Sequence, residues 1–334
     1  MPDLTTEWLG LTLRSPVVVA ASPVSRDAEA AATAVRAGAG AVILPSLFEE
    51  ELIAEELALH RLLDAEEDRD AETGSLLPPV AVTAAGPYLA HLRALVARLD
   101  VPVIASLNGV TPGGWTDHAQ ALEAAGAAAI ELNLYDVATD PDEPGVAVEA
   151  RQLEVVRAVV ATVRVPVTVK IGPFYASVPA FLRRLEAAGA RGATLFNRFW
   201  QPDVDPAALA VARRLDLSDP RELPLRLHGM ALAAPWTRLS LACTGGVWTG
   251  EDAVKAILCG AQVVQVASVL LQHGPGRVGG ILAELRDWLT AHGHADAGEI
   301  RGLLARHSGR DSAAWERLNY IRMLGSWQPP PGWR

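Results

Sequence analysis

The sequence predicts a single-domain α/β fold, a (β/α)8 TIM barrel. Short β-branched runs recur along the chain, each followed within a few tens of residues by an alanine- and leucine-rich amphipathic stretch, and eight such runs occur. The runs are apolar throughout instead of alternating, which suits parallel strands covered on both faces. No strand-to-helix turn carries the G-x-G-x-x-G pattern of an open dinucleotide-binding sheet, so the closed barrel is preferred to a doubly wound one.

The first strand is "PVVVAAS" (16–22), followed by a helical stretch at 27–37. "AVILPS" (41–46) is the second, and a long segment separates it from the next helix, 88–99. Within that segment, residues 49–72 hold eleven acids against two arginines, which places −9 of the net charge of −10 in one run. This run reads as a solvated amphipathic helix and acidic loop, or as a flap or docking surface for a basic partner. "PVAVTAAG" (79–86) has the composition of an extra strand. The third to fifth units follow regularly: "PVIASLN" (102–108) with helix 116–125, "AAIELNL" (128–134) with 147–162, and "PVTVKIG" (166–172) with 178–188. "GATLFN" (192–197) is the sixth strand, and the Pro- and Arg-rich 198–238 segment after it reads as an insertion at the active-site rim. "SLACTGG" (240–246), helix 249–258 and "VVQVAS" (263–268) complete the set. Several helices end in glycine, as in "RAGAG", "EAAGA" and "LCGA", where a left-handed cap lets the chain turn into the next strand. Residues 1–310 are assigned to the barrel, and 311–334 to a C-terminal helix and flexible tail packed on it.

The bulk numbers exclude several classes. A net charge of −10 lacks the basic footprint a nucleic-acid partner needs. No window reaches the run of about 18 apolar residues that a membrane helix needs. Asp3 and Glu7 interrupt the N-terminus, so no signal peptide is read and a cytoplasmic location is expected. Cys243 and Cys259 have neither disulfide nor metal spacing and read as small core residues. The eight histidines are scattered, so no metal site is assigned.

In a barrel the C-terminal strand ends face the active site. Those ends carry Ala21 and Ser22, Pro45 and Ser46, Ser106 and Asn108, Asn133, Tyr135 and Asp136, Lys170, Asn197, Gly245 and Gly246, and Ala267 and Ser268. The set is rich in amides and hydroxyls, with one cation and few acids. Lys170 stands out because the chain holds only two lysines among its 29 basic side chains. A buried ammonium is costly without a partner. Lys170 therefore faces the N1/O2 edge of a flavin and stabilises its reduced form, or forms a Schiff base, or pairs with Glu131 on the neighbouring strand.

"CTGGVWTGEDAV" (243–254) and "GAQVVQVASVLLQHG" (260–274) give the strongest local signal. Gly245 and Gly246 permit a close backbone approach, Thr249 with Asp252 forms a capping box, and Ala267 and Ser268 open a second helical stretch. Loops after the seventh and eighth strands are where barrels bind phosphate, through backbone N–H groups. The alternative is that the glycines only make a tight turn.

With these residues in view, the chain resembles the FMN-dependent dihydroorotate dehydrogenases, especially their divergent dihydroorotate dehydrogenase-like branch. The likeness runs from "LGLTLRSPVVVAASPVS" through "ELNL", "PVTVKIG" and "LFNRF" to "CTGGVWTGEDAVKAILCGAQVVQVASVLL". It implies a flavin oxidoreductase acting on a CH–CH group in pyrimidine biosynthesis, with FMN as cofactor, a small-molecule substrate, an electron acceptor or redox partner, and a homodimer. Ala21 and Ser22 would lie against the flavin ring, Asn133 and Lys170 at its polar edge, and Gly245, Gly246, Ala267 and Ser268 around the phosphate. Asn197 would lie at the substrate and flavin face, and Ser46, Ser106 and Gly229 join the cofactor set. Where the family carries a Cys or Ser base, "NLYDVATD" places Asp136. A lysine of the family's second strand is replaced by Pro45, its asparagine-rich segment by "VTAAGPYL", and its asparagine-serine pair by Asn197-Arg198. Arg198 and Arg226 are candidates for holding an anionic substrate. These departures leave three readings open: a relative with another substrate, a dihydroorotate dehydrogenase using Asp136, or a non-redox phosphate barrel or non-catalytic flavoprotein subunit.

Overall fold

The computed structural model describes residues 1–48, 85–108, 115–198, 201–212, 215–305 and 312–329. A hairpin of β1 (Thr6–Trp8) and β2 (Leu11–Leu13) comes first. The strands that follow are β3 (Val17–Val19), β4 (Ala41–Phe48), β5 (Val103–Asn108), β6 (Ala129–Asn133), β7 (Val167–Ile171) and β8 (Gly192–Leu195). A small antiparallel ribbon, β9 (Asp203–Asp205) and β10 (Ala210–Ala212), precedes β11 (Ser240–Thr244) and β12 (Val263–Val266). Among the described residues, eight of these close into a parallel barrel in the order β11-β12-β3-β4-β5-β6-β7-β8. Each barrel strand falls on a predicted run, with β4 continuing two residues further, to Phe48. The acidic 49–72 run and residues 79–84 of the expected extra strand lie outside the described residues; Gly86 already begins the helix Gly86–Arg98.

The hairpin was not anticipated, and it determines which end of the barrel is open. Leu9 and Gly10 turn it with positive φ of 58° and 79°. Trp8, Leu9 and Leu13 then pack with Val18, Ile43, Ile104, Ala129, Ala242 and Val263 in one buried cluster. Leu9 N–H donates to Ser240 Oγ at 3.1 Å, and the Thr6 hydroxyl to Gln262 O at 3.3 Å, both at the N-terminal side of the strands. The floor is therefore sealed by apolar side chains.

Side chains two apart on a strand share a face. Above Ile104 and Ala129 on the floor, β5 and β6 therefore place Ser106 beside Glu131, and above them Asn108 beside Asn133. On β7, Thr168 is level with Glu131 and Lys170 with Asn133. The interior is apolar below and polar above.

The predicted 198–238 insertion is corrected in extent. The helix Leu223–Ala233 packs against β8 and β11 as the barrel's own sixth helix, leaving the β9–β10 ribbon and residues 215–219 as added structure. Pro224 and Gly229 disguised it, but proline is tolerated in a first turn, where an N–H has no intrahelical partner. The expected capping box is present: Thr249 Oγ1 accepts from Asp252 N–H at 3.1 Å, and Asp252 Oδ2 accepts from Thr249 N–H at 3.0 Å. Thr249→Ala is expected to lower stability by about 1 kcal/mol in chemical denaturation. Cys243 and Cys259 are both buried, and burial pushes the Cys243 thiol up to about 12. The C-terminal helix spans Ser312–Gly325, with Glu316 approaching His228 at 4.0 Å.

Candidate active site

The upper layer of the barrel centres on Glu131, which is fully buried. Its Oε2 accepts from Thr194 Oγ1 at 3.1 Å and from Gln265 Nε2 at 3.0 Å. Among the described residues its Oε1 has no hydrogen-bond partner, and Lys170 Nζ stands 3.7 Å from it. Of the alternatives for Lys170, pairing with Glu131 is thus realised. The side chain nevertheless keeps 12% of its surface exposed, against 1% for Glu131. The other lysine, Lys255, is on the helix Gly250–Leu258 and pairs with Glu251.

Beside Lys170, Asn133 Oδ1 accepts from Asn197 Nδ2 at 2.7 Å, joining the ends of β6 and β8 above β7. Asn133, Lys170 and Asn197 therefore come together as expected. Ser46 and Ser106 meet as well, but their hydroxyls bond each other at 2.8 Å, and Ser106 is fully buried. Pro45 offers no N–H, the β4–β5 register shifts between Ile43 and Ser46, and Ser106 N–H is taken by Tyr88 Oη at 3.0 Å. These two serines belong to the wall of the site. On the far side, β3 ends in Ala21 and Ser22; the Ser22 hydroxyl is buried without a hydrogen-bond partner among the described residues.

Gly245 and Gly246 adopt φ of 93° and 81°. A Cβ on Gly245 would fall 2.9 Å from Arg226 Nε, and one on Gly246 2.6 Å from Leu223 N. Packing of the sixth helix accounts for both glycines. Gly246→Ala is expected to cost about 1–3 kcal/mol, through left-handed strain and collision with backbone, measured by chemical denaturation. Arg226 is buried at 5% exposure and donates to Thr244 O, Glu222 O and Glu222 Oε2, so it braces the glycine turn from behind. Arg198 reaches the same carboxylate, Nη2 to Glu222 Oε1, at 3.5 Å. Gly229 lies within the sixth helix, where the absence of a Cβ admits Phe196. It is not brought to the mouth. Ser268 bonds Ser218 Oγ at 2.8 Å and accepts Ser218 N–H, while Trp248 Nε1 donates to Ser218 O. Ser218 is thereby fastened beside Ser268 at the end of β12.

Asp136 follows β6. Its Oδ2 accepts from Arg151 Nη2 at 2.7 Å, and Arg151 also holds Glu143. The hydrogen bonds to these carboxylates raise the pKa of Arg151, which fixes it as a cation. Asp136 lines a cavity of about 630 Å³ with Val137, Gln152, Phe174 and Tyr175, on the flank of the mouth. Lys170 and Asn133 are not among the residues lining this cavity.

Sequence reading missed Thr194, Gln265, Arg151, Tyr88 and Ser218. A signal existed for the first two: each is a single polar residue inside an apolar strand, at the inward period of two. Nothing in the sequence marks the other three, because their partners lie on other elements.

No family model matches the chain. A putative dihydroorotate dehydrogenase A (fumarate) of Aeropyrum pernix is 35% identical over 223 residues, covering 64% of this chain and 71% of that relative. The chain belongs to the dihydroorotate dehydrogenase family. Membership makes it an oxidoreductase acting on a CH–CH group, as the sequence resemblance implied. A dihydroorotate dehydrogenase B (NAD(+)) catalytic subunit of Desulforudis audaxviator is 29% identical over 319 residues, covering 90% of this chain and 97% of that subunit. The crystal structure of the Eimeria tenella dihydroorotate dehydrogenase in complex with ferulenol superposes with a TM-score of 0.65 at 18% identity, covering 92% of this chain and 90% of that one. That likeness shows the shared fold. Among the described residues, no helix is long and apolar enough to cross a membrane, and no group of three or more His, Cys, Asp or Glu could hold a metal ion.

Proposed function

We propose that the chain is an FMN-dependent oxidoreductase taking hydride from a CH–CH bond of a small ring substrate, with dihydroorotate as the first candidate. The observation that carries this reading is the division of one mouth: Asn133, Lys170 and Asn197 on β6–β8, and the turns 245–246 and 267–268 on β11–β12, which continue round the barrel from β8. A ligand with a phosphate at one end and a polar ring edge at the other spans that division. The Ser22 hydroxyl, buried beside the β12 end and without a hydrogen-bond partner among the described residues, fits such a ligand, because a buried polar atom without a partner is costly. FMN, when bound, supplies a two-electron acceptor.

The chain's own residues then have distinct tasks. Backbone N–H groups at Gly245, Gly246, Ala267 and Ser268 hold the phosphate, with Arg226 stiffening the first turn and Ser218 the second. Asn133 and Lys170 orient the ring edge. Asp136 is the base: Arg151 holds its Oδ2 at 2.7 Å, and the carboxylate lines the cavity on the flank of the mouth, where it is placed to take a substrate proton.

Electrons leave to a partner or a diffusible oxidant, since both cysteines are buried in the core. The relatives' names point in two directions, one to fumarate and one to an NAD(+)-linked catalytic subunit. The test is the visible spectrum of the purified protein after incubation with FMN, followed by anaerobic addition of dihydroorotate and then of fumarate or a dye acceptor. Binding of one FMN per chain and bleaching on dihydroorotate support the reading. A protein that takes up no FMN refutes it, and one that binds FMN without bleaching points to another substrate.

A further inference from the structure

We propose that Glu131 sets how strongly the site favours reduced over oxidised cofactor, by offsetting the charge of Lys170 from within the barrel. This rests on the FMN reading above. The carboxylate is fully buried, Thr194 and Gln265 donate to Oε2, and Oε1, with no hydrogen bond among the described residues, has the Lys170 ammonium 3.7 Å away. Strand register places Glu131 two residues before Asn133 on the same inward face, so it stands one layer beneath the residues assigned to the ring edge. A glutamine there would still accept from Thr194 and Gln265. What the glutamate adds is a negative charge in a position that is expensive to charge.

Lys170 alone would place a full positive charge beside the ring edge and favour its electron-rich form. Glu131 takes back part of that field, because two opposite charges this close act on a third as a dipole instead of a monopole. It also draws the ammonium towards the axis and so fixes where Lys170 stands. Glu131 is therefore a positioning residue acting through Lys170, without itself touching the ligand.

Dissociation constants for oxidised and for dithionite-reduced FMN, measured anaerobically by spectral titration, test this. The readout is the ratio of the oxidised to the reduced constant. In Glu131→Gln that ratio is expected to rise about tenfold, equivalent to about +30 mV for a two-electron couple. In Lys170→Met it is expected to fall by a similar factor, and in the double variant to return towards the unmodified value. A residue that only supports the fold would weaken both redox forms alike, so an unchanged ratio in Glu131→Gln overturns the proposal. Should that variant fail to fold, Glu131→Asp retains the charge but withdraws it from Lys170. Its ratio is then expected above the unmodified one, and equality overturns the proposal. Failure of the unmodified protein to bind either form would instead sink the FMN reading, and this inference with it.

Discussion

Lys170→Met is expected to destabilise the protein by about 3–5 kcal/mol in urea or guanidinium denaturation. The reason is the partner left behind. Glu131 keeps its two donors on Oε2, but Oε1, with no hydrogen bond among the described residues, loses the cation at 3.7 Å. An uncompensated charge inside a barrel has no water to turn to. The double variant Lys170→Met with Glu131→Gln removes both charges and is expected to recover most of the loss. The same loss in single and double variants would show that packing of the lysine stem, not the ion pair, sustains the layer. Solvent screening does not soften this case, since the two side chains are only 12% and 1% exposed.

Turnover is the second large effect. Asp136→Ala is expected to lower dihydroorotate-dependent reduction by about 10²- to 10⁴-fold, the usual range for removing a positioned general base. The fold should tolerate the change, because Arg151 retains Glu143 and is itself 35% exposed. FMN binding should also persist, since Asp136 is among neither the phosphate turns nor the ring-edge residues. Pre-steady-state bleaching separates these outcomes: a slow first turnover with normal FMN content supports the base role. Bleaching within a few-fold of the unmodified rate would assign the proton to another group. Asp136→Asn adds a control, because it keeps a hydrogen bond to Arg151 while losing the capacity to take a proton.

Much of this architecture was readable in the chain. Eight apolar runs ending in polar residues gave the barrel and its rim, and the spacing of Thr249 and Asp252 gave a helix start that the structure reproduces. The sixth helix was harder, because Pro224 and Gly229 are poor helix markers and the arginines around them suggested a surface excursion. Arg226 illustrates the same limit: a residue type typical of anion binding proves to be a buried brace, with its donors used on Thr244 and Glu222.

The sequence by itself determined which residues form strands and that those strands end in amides, hydroxyls and one ammonium. Hydrophobic periodicity is local, and so are caps and turns, so a reading of neighbours along the chain recovers them. Only the closed tertiary structure decided that Glu131 meets Thr194, 63 residues away, and Gln265, 134 residues away, and that Lys170 stands over the result. It alone decided that Trp8 plugs the floor and that Arg151 holds Asp136. Those meetings depend on strand register and barrel closure, which pair residues from distant segments at one level and leave no mark in the spacing of either segment.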